Sequence, residues 1–214
     1  TAGDAIDITA TAGITLNDNL TTNANNNATN TGAVELNGAV TLAASVTVDT
    51  RNTAAGADGA VSINGTVNAD DDDVPDRQLV ITAAGGAGGG ADGAVSVTGA
   101  IGGTMSLDGG VMISGASITT AAITTAGGTA AGEDGATIVL TSTSGVITTG
   151  DLDSSATAAG SGGNVTLTAT GGAISTGSVS SVGLGTANTG GTVDFDASGT
   201  NSVTMGSVDS SNTG

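Results

Sequence analysis

Residues 69–77 read ADDDDVPDR and hold five carboxylates, Asp70, Asp71, Asp72, Asp73 and Asp76. Clustered carboxylates are the donor set of Ca²⁺, a hard cation that takes oxygen ligands. The loop lacks the spaced ligands, turn glycine and bidentate Glu of an EF-hand. A solvated loop whose charge deters aggregation, beside the chain's one proline, uses the same residues and is the preferred reading. Asp-Gly pairs at Asp58-Gly59, Asp92-Gly93 and Asp134-Gly135 give a second acidic signal. Stacked on one edge of a repeat they would repel, and a bound cation would relieve them. Asp and Gly are also ordinary turn residues, and that simpler explanation is favoured.

Little other chemistry is available. The chain has no Lys, His or Cys, so most nucleophile, base and metal constellations cannot be built. Disulfides and Lys–Asn isopeptide links are excluded for the same reason. Asp151 with Asp153, and Asp194 with Asp196, are the pairs that could be offered for cleavage of an acidic polysaccharide. The only cations are Arg51 and Arg77, the only aromatic is Phe195, and the net charge is −18. Such a surface repels uronates and phosphates, which argues against catalysis and against nucleic acid as a partner. No cofactor is expected beyond the calcium option.

Thr pairs follow Ile at Thr119-Thr120, Thr124-Thr125 and Thr148-Thr149. A flat Thr array can bind ice, but the ranks are interrupted at Ser175, Thr176 and Met205, and Thr is simply a good outward strand residue. Asn19, Asn27, Asn64 and Asn164 stand in glycosylation sequons, several of which arise by chance in so Thr-rich a chain.

The elements that carry these residues come from repeats. One octad recurs as AVELNGAV (33–40), AVSINGTV (60–67) and AVSVTGAI (94–101). Farther on the unit lengthens. Ile138, Leu140, Ile147, Gly150 and Leu152 recur as Val165, Leu167, Ile174, Gly177 and Val179. They recur again as Val193, Phe195, Val203, Gly206 and Val208, with one extra residue between the strands. The starts lie 27 and 28 residues apart (165 − 138 and 193 − 165). Apolar-poor loops separate the units, with irregular inserts near 70–77 and 102–110.

Within each unit apolar residues alternate with Thr, Ser, Asn or Asp, which is the period of a strand buried on one face. β-Branched residues suit that surface, and no segment has helical rhythm. The expectation is an all-β chain, a right-handed parallel β-helix (β-solenoid) with coils of about 28 residues. Residues 1–214 would form a single solenoid segment with an acidic loop insert at 69–77. Leu140, Leu167 and Phe195 would stack in one interior column; Ile147, Ile174 and Val203 would stack in another. Gly150, Gly177 and Gly206 would mark a corner where φ is positive or a Cβ would clash.

No stretch approaches the length of a membrane span. Neither end reads as a cap, so the coils are expected to continue in a longer chain or to stack end to end with copies of themselves into a filament.

Units such as GNVTLTATGGAISTGSV (163–179) and GAVELNGAVTLAASVTVDT (32–50) resemble the repeats of filamentous haemagglutinin-type surface exoproteins. The resemblance covers nearly the whole chain and rests on composition and period. It implies export across the outer membrane, an extracellular or bacterial cell-surface location, and a non-catalytic role as a stalk in a surface fibre or adhesin. A cell-surface or glycan target would be the partner. The alternatives are a carbohydrate- or calcium-binding module on such a fibre, or a self-assembling sheath or surface-layer subunit.

Overall fold

In a computed structural model, residues 5–22, 32–52, 56–71, 76–86, 89–130 and 132–214 are described, and among them there is no helix. They form a β-solenoid whose strands are all short and pair in parallel with the coil above and below. The first face runs through Ile6–Thr9, Val34–Asn37, Val61–Ile63, Val95–Val97, Ile118–Thr120, Ile147–Thr148, Ile174–Ser175 and Val203–Thr204. The second runs through Ile14–Leu16, Val40–Leu42, Val67–Ala69, Ile123–Thr124, Leu152–Asp153, Val179–Ser180 and Val208–Asp209. Its two parts are joined by Ile101, which bridges Val67 on one side and Ile123 on the other. The third face comprises Leu20–Thr21, Val46–Asp49, Gln78–Thr82, Gly110–Gly115, Ile138–Ser142, Val165–Ala169 and Val193–Ala197.

The expected columns are present. Leu140 pairs with Leu167 and Leu167 with Phe195. Ile147 pairs with Ile174 and Ile174 with Val203. Leu140, Leu167, Ile147 and Ile174 are wholly buried, while Phe195 packs against the core from the last third-face strand and is partly exposed. Alternation explains the economy of the core: each strand sends every second residue inward, and a narrow bore accepts Val, Ile, Leu and Ala. The corner glycines Gly150, Gly177 and Gly206 are needed for close approach rather than for positive φ. A Cβ on Gly177 would stand 2.9 Å from the Asp151 nitrogen and 2.2 Å from its Oδ1.

The coils are not uniform. Along the first face, register partners are 28, 27, 34, 23, 29, 27 and 29 residues apart. The irregular middle has a single cause: the long loop changes corner. In the first three coils it leaves the third face and returns to the first, as residues 22–33, 50–60 and 83–94. In the fourth coil that corner shrinks to Ala116 and Ser117. From the fifth coil on, the long loops join the second face to the third, as residues 125–137, 154–164 and 181–192. The inserts at 70–77 and 102–109 occupy this same second corner. They are its first two enlarged loops, not random insertions.

Six of the loops share one kind of neck. A buried residue ends the strand and bonds, through its hydroxyl, its carbonyl or both, a small residue 9 to 11 positions on: Thr22 with Gly32, Thr50 with Gly59, Ala83 with Gly93, Thr125 with Ala136, Ser154 with Gly163, Ser181 with Gly191. The Thr50 hydroxyl donates to the Gly59 carbonyl at 2.6 Å while the Gly59 N–H donates to the Thr50 carbonyl at 2.9 Å. Ser154 and Gly163 repeat both bonds, at 2.9 and 2.7 Å. A hydroxyl buried here is satisfied, which is why Thr and Ser tolerate the interior.

Candidate functional site

The second corner of coils three to five gathers the densest charge. Its loops stack one above another, so Asp76, Asp108, Glu133 and Asp134 line a single cleft of about 310 Å³ with Gly128, Gly135 and Ala136. Asp76 and Asp108 each lie two residues before a third-face strand, which puts them on successive rungs. The Asp108 Oδ1 accepts the Arg77 N–H at 3.1 Å. Burial raises the Asp108 pKa, and the nearby charges of Asp76 and Glu133 add to the shift. Among the described residues the Glu133 Oε2 is buried with no hydrogen-bond partner.

The acidic insert divides between two roles. Asp70 Oδ1 accepts from Arg77 Nε at 2.7 Å, and Asp71 Oδ2 lies 3.6 Å from Arg77 Nη2. The Arg77 side chain is 10% exposed, so this pair closes the base of the loop against the coil. The Arg77 hydrogen bond holds the Asp70 carboxyl below its usual range, and Asp70 in turn raises Arg77. Asp76 faces the cleft instead, and Asp72 and Asp73 lie outside the described residues. Of the three described aspartates of the insert, Asp70 and Asp71 are thus turned to Arg77 and Asp76 to the cleft, and no group of three or more metal-ligating side chains suited to a metal ion occurs among the described residues.

The three Asp-Gly pairs do not share an edge. Asp58 and Asp92 sit on the loops of the first corner to be enlarged, Asp134 on the other. Asp58 is buried and accepts backbone N–H groups from Asn52 at 2.6 Å and Gly86 at 3.1 Å. Asp92 accepts from Gly85 at 3.0 Å and from the Thr143 hydroxyl across the shortened fourth coil. Asp134 accepts from Ser161 at 2.6 Å. These carboxylates fix loop backbone, as turn residues do.

Of the candidate catalytic pairs, Asp151 accepts the Ser178 N–H at 2.8 Å and Asp153 that of Ser155 at 3.0 Å. Asp194 and Asp196 project from the outer side of one strand, above Thr166 and Thr168. The second cation, Arg51, is held by Asp49 through two contacts of 3.0 and 2.6 Å. The Thr pairs split between the two sides of their strands: Thr119 and Thr148 face outward, Thr120 and Thr149 inward. The Thr149 hydroxyl donates to Thr176 at 2.9 Å. Among the sequons, Asn19 and Asn164 use their side-chain oxygens to accept the Thr47 and Thr192 N–H groups. Asn64 donates to Asn37 at 2.7 Å, and Asn27 lies outside the described residues.

Sequence reasoning missed Asp108 and Glu133. The available signal was the strand start: aligning Gln78 with Gly110 places Asp76 and Asp108 in the same rank. Searches against family models, curated proteins and solved structures return no match to this chain.

Proposed function

We propose that the chain is a non-catalytic structural segment of an extracellular bacterial surface fibre or adhesin, as its resemblance to filamentous haemagglutinin-type repeats implies. The observation that carries this reading is the stack itself: parallel ladders on three faces run from coil to coil along one axis through the described residues. Ladders along the axis resist stretching, and the acidic outer surface opposes lateral bundling. Electron microscopy of the native material tests this. Thin fibres with an axial repeat of ~4.8 Å support the reading; discrete compact particles overturn it.

A second reading, a calcium- or carbohydrate-binding module on such a fibre, draws support from the acidic cleft at Asp76, Asp108, Glu133 and Asp134. Under the stalk reading millimolar Ca²⁺ and Mg²⁺ raise the melting temperature slightly and equally, by screening. A large rise specific to Ca²⁺ and lost in Asp76→Asn, Asp108→Asn would favour the module. A self-assembling sheath or surface-layer subunit would instead show ordered lateral arrays.

A further inference from the structure

One stretch of the outer surface breaks the polar rule. On the third face the outward column reads Thr47, Val80, Met112, Val139, Thr166 and Asp194 in successive coils. Three consecutive apolar residues stand where the flanking coils carry Thr. Met112 is 42% exposed, and Val80 and Val139 are half-buried beside it. With Thr82, Ser114 and Thr141 they line a shallow depression of about 110 Å³. Inward packing does not need them, because Leu79, Ile81, Val111, Ile113, Ile138 and Leu140 already fill the core on these strands.

The exposed charges around this stripe are acidic; Arg77, next to Asp76, is nearly buried and held by Asp70 and Asp71. Asp76 is four residues ahead of Val80, Asp108 four ahead of Met112, and Asp134 five ahead of Val139. On extended strands that is about 13–17 Å. Between acids and stripe the rank is Gln78, Gly110 and Thr137, so the fourth coil contributes no side chain there. Beyond the stripe come the hydroxyls of Thr82, Ser114 and Thr141, then the Asp92–Thr143 contact. Across the strands the order is carboxylates, a low saddle, an apolar stripe and a hydroxyl rank. The feature sits where the long loops change corner, so coil four has no long loop at the corner between the third and first faces.

We propose that this face of coils three to five is a docking surface for a basic, extended polypeptide segment, with Lys or Arg over the acidic cleft and apolar side chains about four residues on, over Val80, Met112 and Val139. Charge complementarity chooses the occupant. A second copy of the chain brings another −18 and the same carboxylates, so it is repelled. A cationic segment gains from the cleft, whose charged lining residues are Asp76, Asp108, Glu133 and Asp134, the neighbouring Arg77 being already held by Asp70 and Asp71. The apolar stripe then supplies the specificity that charge alone lacks.

The test is fluorescence anisotropy with the intact chain and a labelled peptide carrying two arginines at one end and two leucines four residues on. The expected result is that replacing Val80, Met112 and Val139 together by Thr weakens this peptide at least tenfold, while a peptide with serines for the leucines binds both proteins equally weakly. Thr already stands at the neighbouring rungs, so the variant keeps the fold, as its unchanged melting curve would show. Asp76→Asn, Asp108→Asn should weaken binding and flatten its salt dependence. Equal affinity of the wild type and the threonine variant for the leucine peptide overturns the proposal. So does equal binding of both peptides to the wild type, which would mean non-specific charge attraction. A dimer of the wild type in sedimentation that the threonine variant abolishes also overturns it, by assigning the stripe to a second copy.

Discussion

The first three coils and coils five to seven solve one problem at different corners. Both need a loop of about ten residues to leave the stack and return in register. In the early coils it leaves after the third face, through the necks at Thr22, Thr50 and Ala83; in the late coils it leaves after the second, through Thr125, Ser154 and Ser181. The three sheets pass through the change unbroken, because Ile101 and the strand Gly110–Gly115 keep pairing on both sides. The lesson is that the ladders define the solenoid and the loops are modular attachments, placed wherever a buried strand-end residue and a small residue 9 to 11 positions on can close a neck.

If the ladders define the fold, side chains within them should dominate stability in either half. Leu167 is fully buried between Leu140 and Phe195, so Leu167→Asp places an unpaired charge in the core and should cost more than about 4 kcal/mol. Thr166→Asp, pointing outward beside it, should cost under about 0.5 kcal/mol. Thermal melts showing equal losses would break the assignment of inside and outside.

The necks are the next test, because they should behave alike at both corners. A Cβ on Gly59 would fall 1.8 Å from the Gly32 carbonyl oxygen, and one on Gly163 would fall 2.2 Å from that of Ala136. Both contacts are with backbone, so Gly59→Ala and Gly163→Ala should each destabilise by about 2–4 kcal/mol in denaturant titrations. A large effect in only one half would mean that the two necks are different structures.

A smaller effect separates the hydroxyl from the glycine. Thr50→Val and Ser154→Ala remove a buried donor but keep the backbone pair, and each should cost about 1–2 kcal/mol. Ala83, buried at the neck of the third coil, is the one strand-end residue of these six necks without a hydroxyl. Ala83→Ser should recover up to about 1 kcal/mol.

How much of this was legible in the sequence depends on which signal wrote it. Alternation within strands names the inward residues directly, so the columns through Leu167 and Ile174 follow from spacing alone. The octad glycines and the later Gly150, Gly177 and Gly206 belong to the same corner, between the first and second faces. In the sequence they fall in units of different form because the long loops move around them. Loop length carries no alternation, so the change of corner at Ala116-Ser117 registered only as an irregular middle. The acidic cleft was hidden for the same reason. Asp76 and Asp108 become neighbours only once the inserts at 70–77 and 102–109 are known to share a corner.

The smallest expected effect concerns that corner. Burial raises the Asp108 pKa, so the folded state binds its proton more tightly than the unfolded chain, and stability from this group falls as pH rises through and above the ordinary carboxylate range. Asp70 and Asp49, lowered by their arginines, act in the opposite sense and lose their contribution as pH falls through that range. Asp108→Asn should therefore raise the melting temperature by about 1–2 °C at neutral pH and match the wild type near pH 3. A variant less stable at neutral pH would show that the carboxylate is needed at this corner as a hydrogen-bond acceptor.

The central claim is that the ladders run unbroken through the coil where the loops change corner, and cysteine pairing tests it most directly. The chain has no Cys, so introduced thiols report alone. Ser96 and Thr119 are outward register partners only 23 residues apart, and adjacent parallel strands place their Cα atoms within disulfide reach. A uniform 28-residue period would instead pair Ser96 with Thr124, which stands on the second face. On mild oxidation Ser96→Cys, Thr119→Cys should form an intramolecular disulfide, seen by mass spectrometry of the unreduced digest, and Ser96→Cys, Thr124→Cys should not. A disulfide in the second variant and none in the first would contradict the account.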